Sequence, residues 1–218
     1  MVNARHLQRG LALAVCLAAT MALGACADLE LNKELSAQVK TRGLIVVFEG
    51  LQPFSADRAT SLAQRAAREA GLAAVGTTGN SAAYVPLAAA AHASGHSVYI
   101  IGYSLGGGDA CNLAEQCQAK SIPIAILFLV DPGALGLYTD KIPANVSKVI
   151  FYRSLGWAVD LPTRPRGELL EDPNRTTVKF EDFPGVGHLD LPGYLAGKLA
   201  SEIRNDAGAK GPGGGAYR

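Results

Sequence analysis

Charge and aromatic surface are both scarce in this chain. Of its 218 residues 18% are charged, with 20 Lys+Arg against 19 Asp+Glu, and 6% are aromatic. No stretch interleaves basic and aromatic side chains, and the near-neutral balance leaves no electrostatic footprint, so nucleic acid is not an expected partner. Cysteine occurs four times, at positions 16, 26, 111 and 117, without the C-x-x-C spacing that would support a redox pair. Histidine also occurs four times. His92 and His96 could share a metal across one helical turn, but no third ligand lies nearby and Gly95 is expected to end the helix between them. No metal and no cofactor are expected. Nor does any apolar run reach the roughly 20 residues a membrane-spanning helix needs.

What is present is a chain with 49% hydrophobic residues, long enough for one well-buried domain. Arg5, His6 and Arg9 precede an apolar run from Leu11 to Leu23, which reads as an export signal. The run ends Leu23-Gly24-Ala25-Cys26. It resembles the bacterial lipobox, in which cleavage leaves the cysteine as a lipid-modified N-terminus, and that resemblance implies Cys26 as a membrane anchor. The alternative is an ordinary secretory signal cleaved near Ala25 or Ala27. Ala27 rather than aspartate after the cysteine implies the outer membrane of a bacterial envelope, facing the periplasm. Residues 1–25 are thus expected to be a signal peptide, 26–42 a polar tether with at most a short helix, 43–204 the folded domain, and 205–218 a disordered glycine-rich tail.

Within the domain, Gly43 to Gly50 is a β-branched run closed by glycine, a buried strand. Ser55 is an expected N-cap for a helix with apolar positions at Ala59, Leu62, Ala63, Ala66, Ala67 and Ala70, stopped by Gly71. Leu72 to Val75 is a second strand, and an alanine-rich helix runs from near Pro86 to Gly95. Further strands are expected at Val98 to Ile101, Ile122 to Val130, Val146 to Tyr152 and Thr176 to Glu181, and a closing helix from Leu191 to Ile203. Cys111 and Cys117, six apart on the helix after the third strand, are separated by about 9 Å of rise and are expected to remain thiols. Six strands alternating with helices imply a three-layer α/β/α sandwich around a mostly parallel sheet.

The chemistry-bearing stretch is Val98 to Gly108. An apolar strand turns at Gly102-Tyr103-Ser104-Leu105-Gly106 directly into a helix, the G-x-S-x-G spacing in which flanking glycines hold a serine hydroxyl clear of the backbone. Ser104 is the candidate nucleophile. The amide of Leu105, at a helix N-terminus, is a candidate oxyanion donor. These residues resemble the nucleophile turn of the α/β-hydrolase superfamily, particularly its small lipase-, cutinase- and thioesterase-like members, over roughly Leu44 to Leu199.

The resemblance implies a minimal α/β-hydrolase fold with a six-stranded sheet in the order 2-1-3-4-5-6. It implies that Leu51 lends the second oxyanion amide from a loop usually written His-Gly-x, where this chain has Glu49-Gly50-Leu51. Asp131, which ends the most apolar strand, is implied as the acid that orients the base, with Asp160 as its rival and Glu168, Glu171 and Asp172 as weaker ones. His188, after the last strand in Gly185-Val186-Gly187-His188, is implied as the base. The order Ser104, Asp131, His188 is that of the superfamily's triad. The expected activity is hydrolysis of a small-molecule carboxylic ester or thioester through an acyl-enzyme, by a monomer. The alternatives are an inactive binding module on the same fold and a serine acyltransferase. The proline- and arginine-rich stretch from Arg153 to Arg175 is a candidate lid.

Overall fold

A computed structural model describes residues 34–50, 58–77, 79–132, 141–155 and 169–210. The chain divides into two compact units after Ala37; the first contributes only the opening turn of a helix at residues 34–42 (α1), and all that follows concerns the second. The expected signal peptide, Cys26, Leu51, Ser55, Asp160 and Glu168 lie outside the described residues, as does the interior of the candidate lid.

Six strands form one parallel sheet: β1 (Leu44–Phe48), β2 (Ala73–Thr77), β3 (Val98–Tyr103), β4 (Ile126–Val130), β5 (Lys148–Ser154) and β6 (Thr177–Phe183), in the order β2-β1-β3-β4-β5-β6. This is the expected order. Every residue of β1, β3 and β4 is buried, as continuous apolar runs require when a parallel sheet is covered on both faces. α2 (Arg58–Ala70) and α5 (Leu191–Lys210) pack together over one face. There Ile45, Val47, Tyr99, Ile101, Phe128, Val130 and Tyr152 share a core with Leu62, Leu195 and Leu199. α3 (Val85–Ala93) and α4 (Gly106–Gln118) pack together over the other. Near the α5 edge, Lys148 and Lys179 each lie 2.6 Å from a Glu202 oxygen, tying β5 and β6 to that helix.

Most boundaries shift by one or two residues from expectation, and three of the differences bear on the layout. The fourth strand begins at Ile126 rather than Ile122, because Pro123 has no amide to give the ladder; Ile124 makes only an isolated bridge to Val146. β5 extends to Ser154, two residues into the stretch read as a lid. α5 continues to Lys210, so residues 205–210 are helix rather than tail. Tyr99 helps hold that extension by donating to the Asp206 carboxylate at 2.9 Å. α3 ends at Ala93 and Gly95 follows with φ 77°, so His92 and His96 do not share a helix, and His92 is exposed. Cys111 and Cys117 lie buried on the unbroken α4 and form no disulfide; burial pushes the Cys117 thiol up to about 12.

The turn from β3 into α4 is packed against backbone on both sides. A Cβ on Gly106 would stand 2.3 Å from the Phe48 carbonyl oxygen and 2.5 Å from that of Glu49, and one on Gly102 would stand 2.7 Å from the Gly107 Cα. Backbone atoms cannot yield as a flexible side chain can. Gly106→Ala should therefore cost about 3 kcal/mol. Gly197→Ala, on α5 with nothing within 4 Å of its Cβ, should instead stabilise by roughly 0.5–1 kcal/mol. Urea denaturation of the two variants beside the parent checks both signs.

Candidate active site

Ser104 occupies the apex between β3 and α4 with φ 52°, a left-handed conformation that costs a non-glycine residue about 1–3 kcal/mol. Two things hold it there: its amide continues the sheet ladder by donating to the Val130 carbonyl at 3.0 Å, and its carbonyl accepts from Gly107 at 3.1 Å. The side chain stays partly accessible, as does Leu105, whose amide lies at the N-terminus of α4, where backbone donors lack an intrahelical acceptor. β1 delivers the neighbouring loop: a Cβ on Gly50 would fall 2.8 Å from Ser104 Cβ, so only glycine lets that chain pass so near the serine.

Asp131 follows β4 directly. Its amide donates to the Tyr152 carbonyl at 2.7 Å, an extension of the β4–β5 pairing that buries the residue to 5% exposure. Ser154, at the end of β5, donates its amide to Oδ1 at 3.1 Å and its hydroxyl to Oδ2 at 2.5 Å. Nδ1 of His188 lies 2.6 Å from the same Oδ2. Burial works to raise the Asp131 carboxyl, but the hydrogen bonds from His188 and Ser154 outweigh it and hold the group below the ordinary carboxylate range. An ionised carboxylate can only accept, so Nδ1 carries the proton, and Nε2 is the acceptor in the neutral ring.

His188 is carried by a loop of turns after β6, in which Gly187 accepts from both Asp190 and Leu191 at 3.0 Å. Its ring stacks on Tyr103, 5.0 Å between centroids and 18° between planes, and the Tyr103 hydroxyl donates to the His188 carbonyl at 3.1 Å. The imidazole is 25% exposed, open to a substrate from one side. Sequence reasoning missed Ser154 and Tyr103. Tyr103 sits inside the five-residue turn motif, and Ser154 lies one strand over from Asp131 with no signal of its own.

Glu49, which stands where the lipase-like loop usually has histidine, has a structural role of its own. It is 4% exposed, and its carboxylate accepts from the amides of Ala59 at 3.3 Å and Thr60 at 2.5 Å in the first turn of α2. A negative group there meets unpaired donors and the positive end of the helix dipole. Of the weaker rivals to Asp131, Glu171 faces the opposite edge of the sheet, accepting from Ala144 and Gln118 at 2.8 and 2.9 Å, and Asp172 caps the Asn174 amide at 3.0 Å. A hollow of about 410 Å³ lined by His92, Gln118 and Arg175 also lies at that amino edge, remote from Ser104.

Ser104, Asp131 and Ser154 all stand at the carboxyl ends of parallel strands, beside the point where β1 and β3 connect in opposite directions, the general location of ligand sites in such sheets. No protein-family model matches the chain, and no curated protein matches it either. Solved structures do. A protein of unknown function from Agrobacterium tumefaciens, described as a candidate α/β hydrolase, is 13% identical with a TM-score of 0.57, over 77% of this chain and 86% of that one. An esterase from Pyrobaculum calidifontis is 14% identical with a TM-score of 0.52, over 75% and 76%. An α-β serine hydrolase homologue from Coxiella burnetii is 16% identical with a TM-score of 0.50, over 74% and 84%. The chain has the α/β-hydrolase fold. On that fold the turn at Ser104 and the Asp131–His188 contact occupy neighbouring strand ends, although identities this low carry no substrate from one protein to another.

The sign of the pH dependence at Asp131 follows from its lowered carboxyl. A group of this kind contributes stability that is fully present above its unfolded pKa of about 3.9 and is lost as pH falls through the lower folded value. Ser154→Ala removes one of the bonds that lower it. The variant should be less stable at neutral pH by about 1–2 kcal/mol, and its Asp131 carboxyl, followed by NMR, should titrate at higher pH than in the parent.

Proposed function

We propose that the protein is a serine hydrolase that cleaves a carboxylic ester or thioester through an acyl-enzyme. The reading rests on one observation above others: the 2.6 Å contact of His188 Nδ1 with the buried, ionised Asp131, at the same sheet edge as the strained serine turn. Esterases among proteins of the same fold support it. In the first step Ser104 Oγ attacks the acyl carbon while His188 Nε2 takes the hydroxyl proton, and Asp131 stabilises the imidazolium that results. The tetrahedral oxyanion accepts from the Leu105 amide and, on the resemblance to lipase-like members, from that of Leu51, each such donor lowering the barrier by about 3 kcal/mol. The imidazolium then protonates the departing alcohol or thiol. Water, deprotonated by His188, attacks the acyl-enzyme and releases the acid and the serine.

Glu49 caps the first turn of α2, so its presence in place of histidine is no argument for an inactive binding module. Ser104→Ala should abolish both fluorophosphonate labelling and p-nitrophenyl ester turnover while the melting profile stays close to the parent's. Asp131→Asn should lower kcat far more than Asp160→Asn, because an amide neither stabilises the imidazolium nor fixes the productive tautomer. Undiminished labelling of Ser104→Ala, or a greater loss in Asp160→Asn, would overturn these roles.

The envelope location is part of the same proposal. Leu23-Gly24-Ala25-Cys26 is the basis for reading Cys26 as a lipidated N-terminus that tethers the enzyme to a bacterial membrane. Several acyl chains on one residue hold where a single one binds only marginally. Mass spectrometry of the mature protein should find an acylated cysteine first; an unmodified N-terminus at another residue would refute the anchor.

A further inference from the structure

The first turn of α2 touches both halves of the candidate site. Glu49 follows β1 immediately before Gly50, which passes against Ser104, and its buried carboxylate accepts from the amides of Ala59 and Thr60. Arg58 is the first residue of that turn, and its guanidinium donates to the carbonyl of Leu189, the residue after His188. The carbonyl of His188 itself accepts from Tyr103, which also supports the imidazole ring. Two successive carbonyls of the histidine loop are thus held by side chains, one from the strand that bears the serine and one from a helix pinned to the strand beside it.

The charges around this junction converge on Tyr103. Burial pushes its hydroxyl up to about 12; Arg58 opposes the rise, while Asp131, Glu49 and Asp190 add to it. Tyr103 is therefore a neutral donor at neutral pH. With Tyr103 fixed in β3, the adjustable member of the pair is Arg58, whose reach toward Leu189 depends on where α2 begins.

We propose that Glu49 is a positioning residue for the His188 base: by fixing the first turn of α2 it sets Arg58, and through Arg58 the height of the histidine loop over Ser104. The inference rests on the serine-hydrolase reading for its consequence in turnover, but the geometry it describes is independent of that reading. Glu49→Gln keeps the size of the side chain but leaves one oxygen to serve two amides. Arg58→Ala removes the clamp at its other end. If both act along one line, each should lower kcat and the rate of fluorophosphonate labelling about 10- to 100-fold with KM little changed, and the double variant should be no worse than the worse single one.

The test combines that cycle with a spectroscopic readout. In the parent, the Nδ1 proton shared by His188 and Asp131 should give a resolved downfield NMR resonance. It should shift or broaden in Glu49→Gln and in Arg58→Ala, and stay in place in Glu69→Gln, the same substitution farther along α2 where the carboxylate pairs with Arg204 at 3.7 Å. A resonance unmoved in Glu49→Gln, with turnover per folded molecule unchanged and only the melting temperature lowered, would reduce Glu49 to a helix cap and overturn the proposal. Additive losses in the double variant would overturn it equally. Should the parent fail to label at Ser104, the hydrolase reading falls, while the resonance still decides whether Glu49 positions the histidine.

Discussion

The carboxyl edge of the sheet depends on how closely α4 approaches the end of β1. Gly106 lies where any side chain would overlap the carbonyls of Phe48 and Glu49, and that approach allows Gly50 to run alongside Ser104. Were the helix to sit even an ångström farther out, the serine would lose its neighbour and the left-handed turn that presents it would have less to resist. The strain at Ser104 is tolerable because the residue is bound on both sides, by the ladder to Val130 before it and by the opening turn of α4 after it.

Two buried carboxylates are organised around that edge by the same principle. Asp131 and Glu49 each sit in a region from which water is largely excluded, where an ionised group is tolerated only when its oxygens are well satisfied. Each is met by backbone amides: Ser154 for Asp131, Ala59 and Thr60 for Glu49. A backbone donor in a strand end or helix turn has no rotamers to lose, so these acids are fixed as rigidly as the elements that bind them. Asp131 goes on to engage an ionisable partner, His188, and is held below the usual carboxylate range.

What could be read from the sequence was whatever a local pattern determines. β-branched runs closed by glycine gave the strands, and the alternation of strand and helix gave the parallel sheet. Glycines two before and two after Ser104 marked the turn. Boundaries went astray where one residue overrode the pattern, as Pro123 did for β4, or where a distant contact extended an element, as Tyr99 does for the end of α5. The roles of Ser154, Tyr103 and Arg58 were illegible because their partners lie 23, 85 and 131 residues away along the chain: Asp131 for Ser154, His188 for Tyr103 and Leu189 for Arg58. The role of Glu49 was illegible because the two amides that donate to it lie ten and eleven residues on, in the first turn of α2, and nothing beside Glu49 in the sequence points to them.

The thiol of Cys117 gives the far face of the sheet a use as an observation point. Buried within α4, with burial pushing its ionisation up to about 12, it is shielded both sterically and chemically from thiolate reactions. Its modification by an added reagent is therefore gated by the opening of the helix that begins at the serine turn. The rate of alkylation becomes a clock for local unfolding of that one element, read without any substrate and without perturbing the serine, the acid or the base.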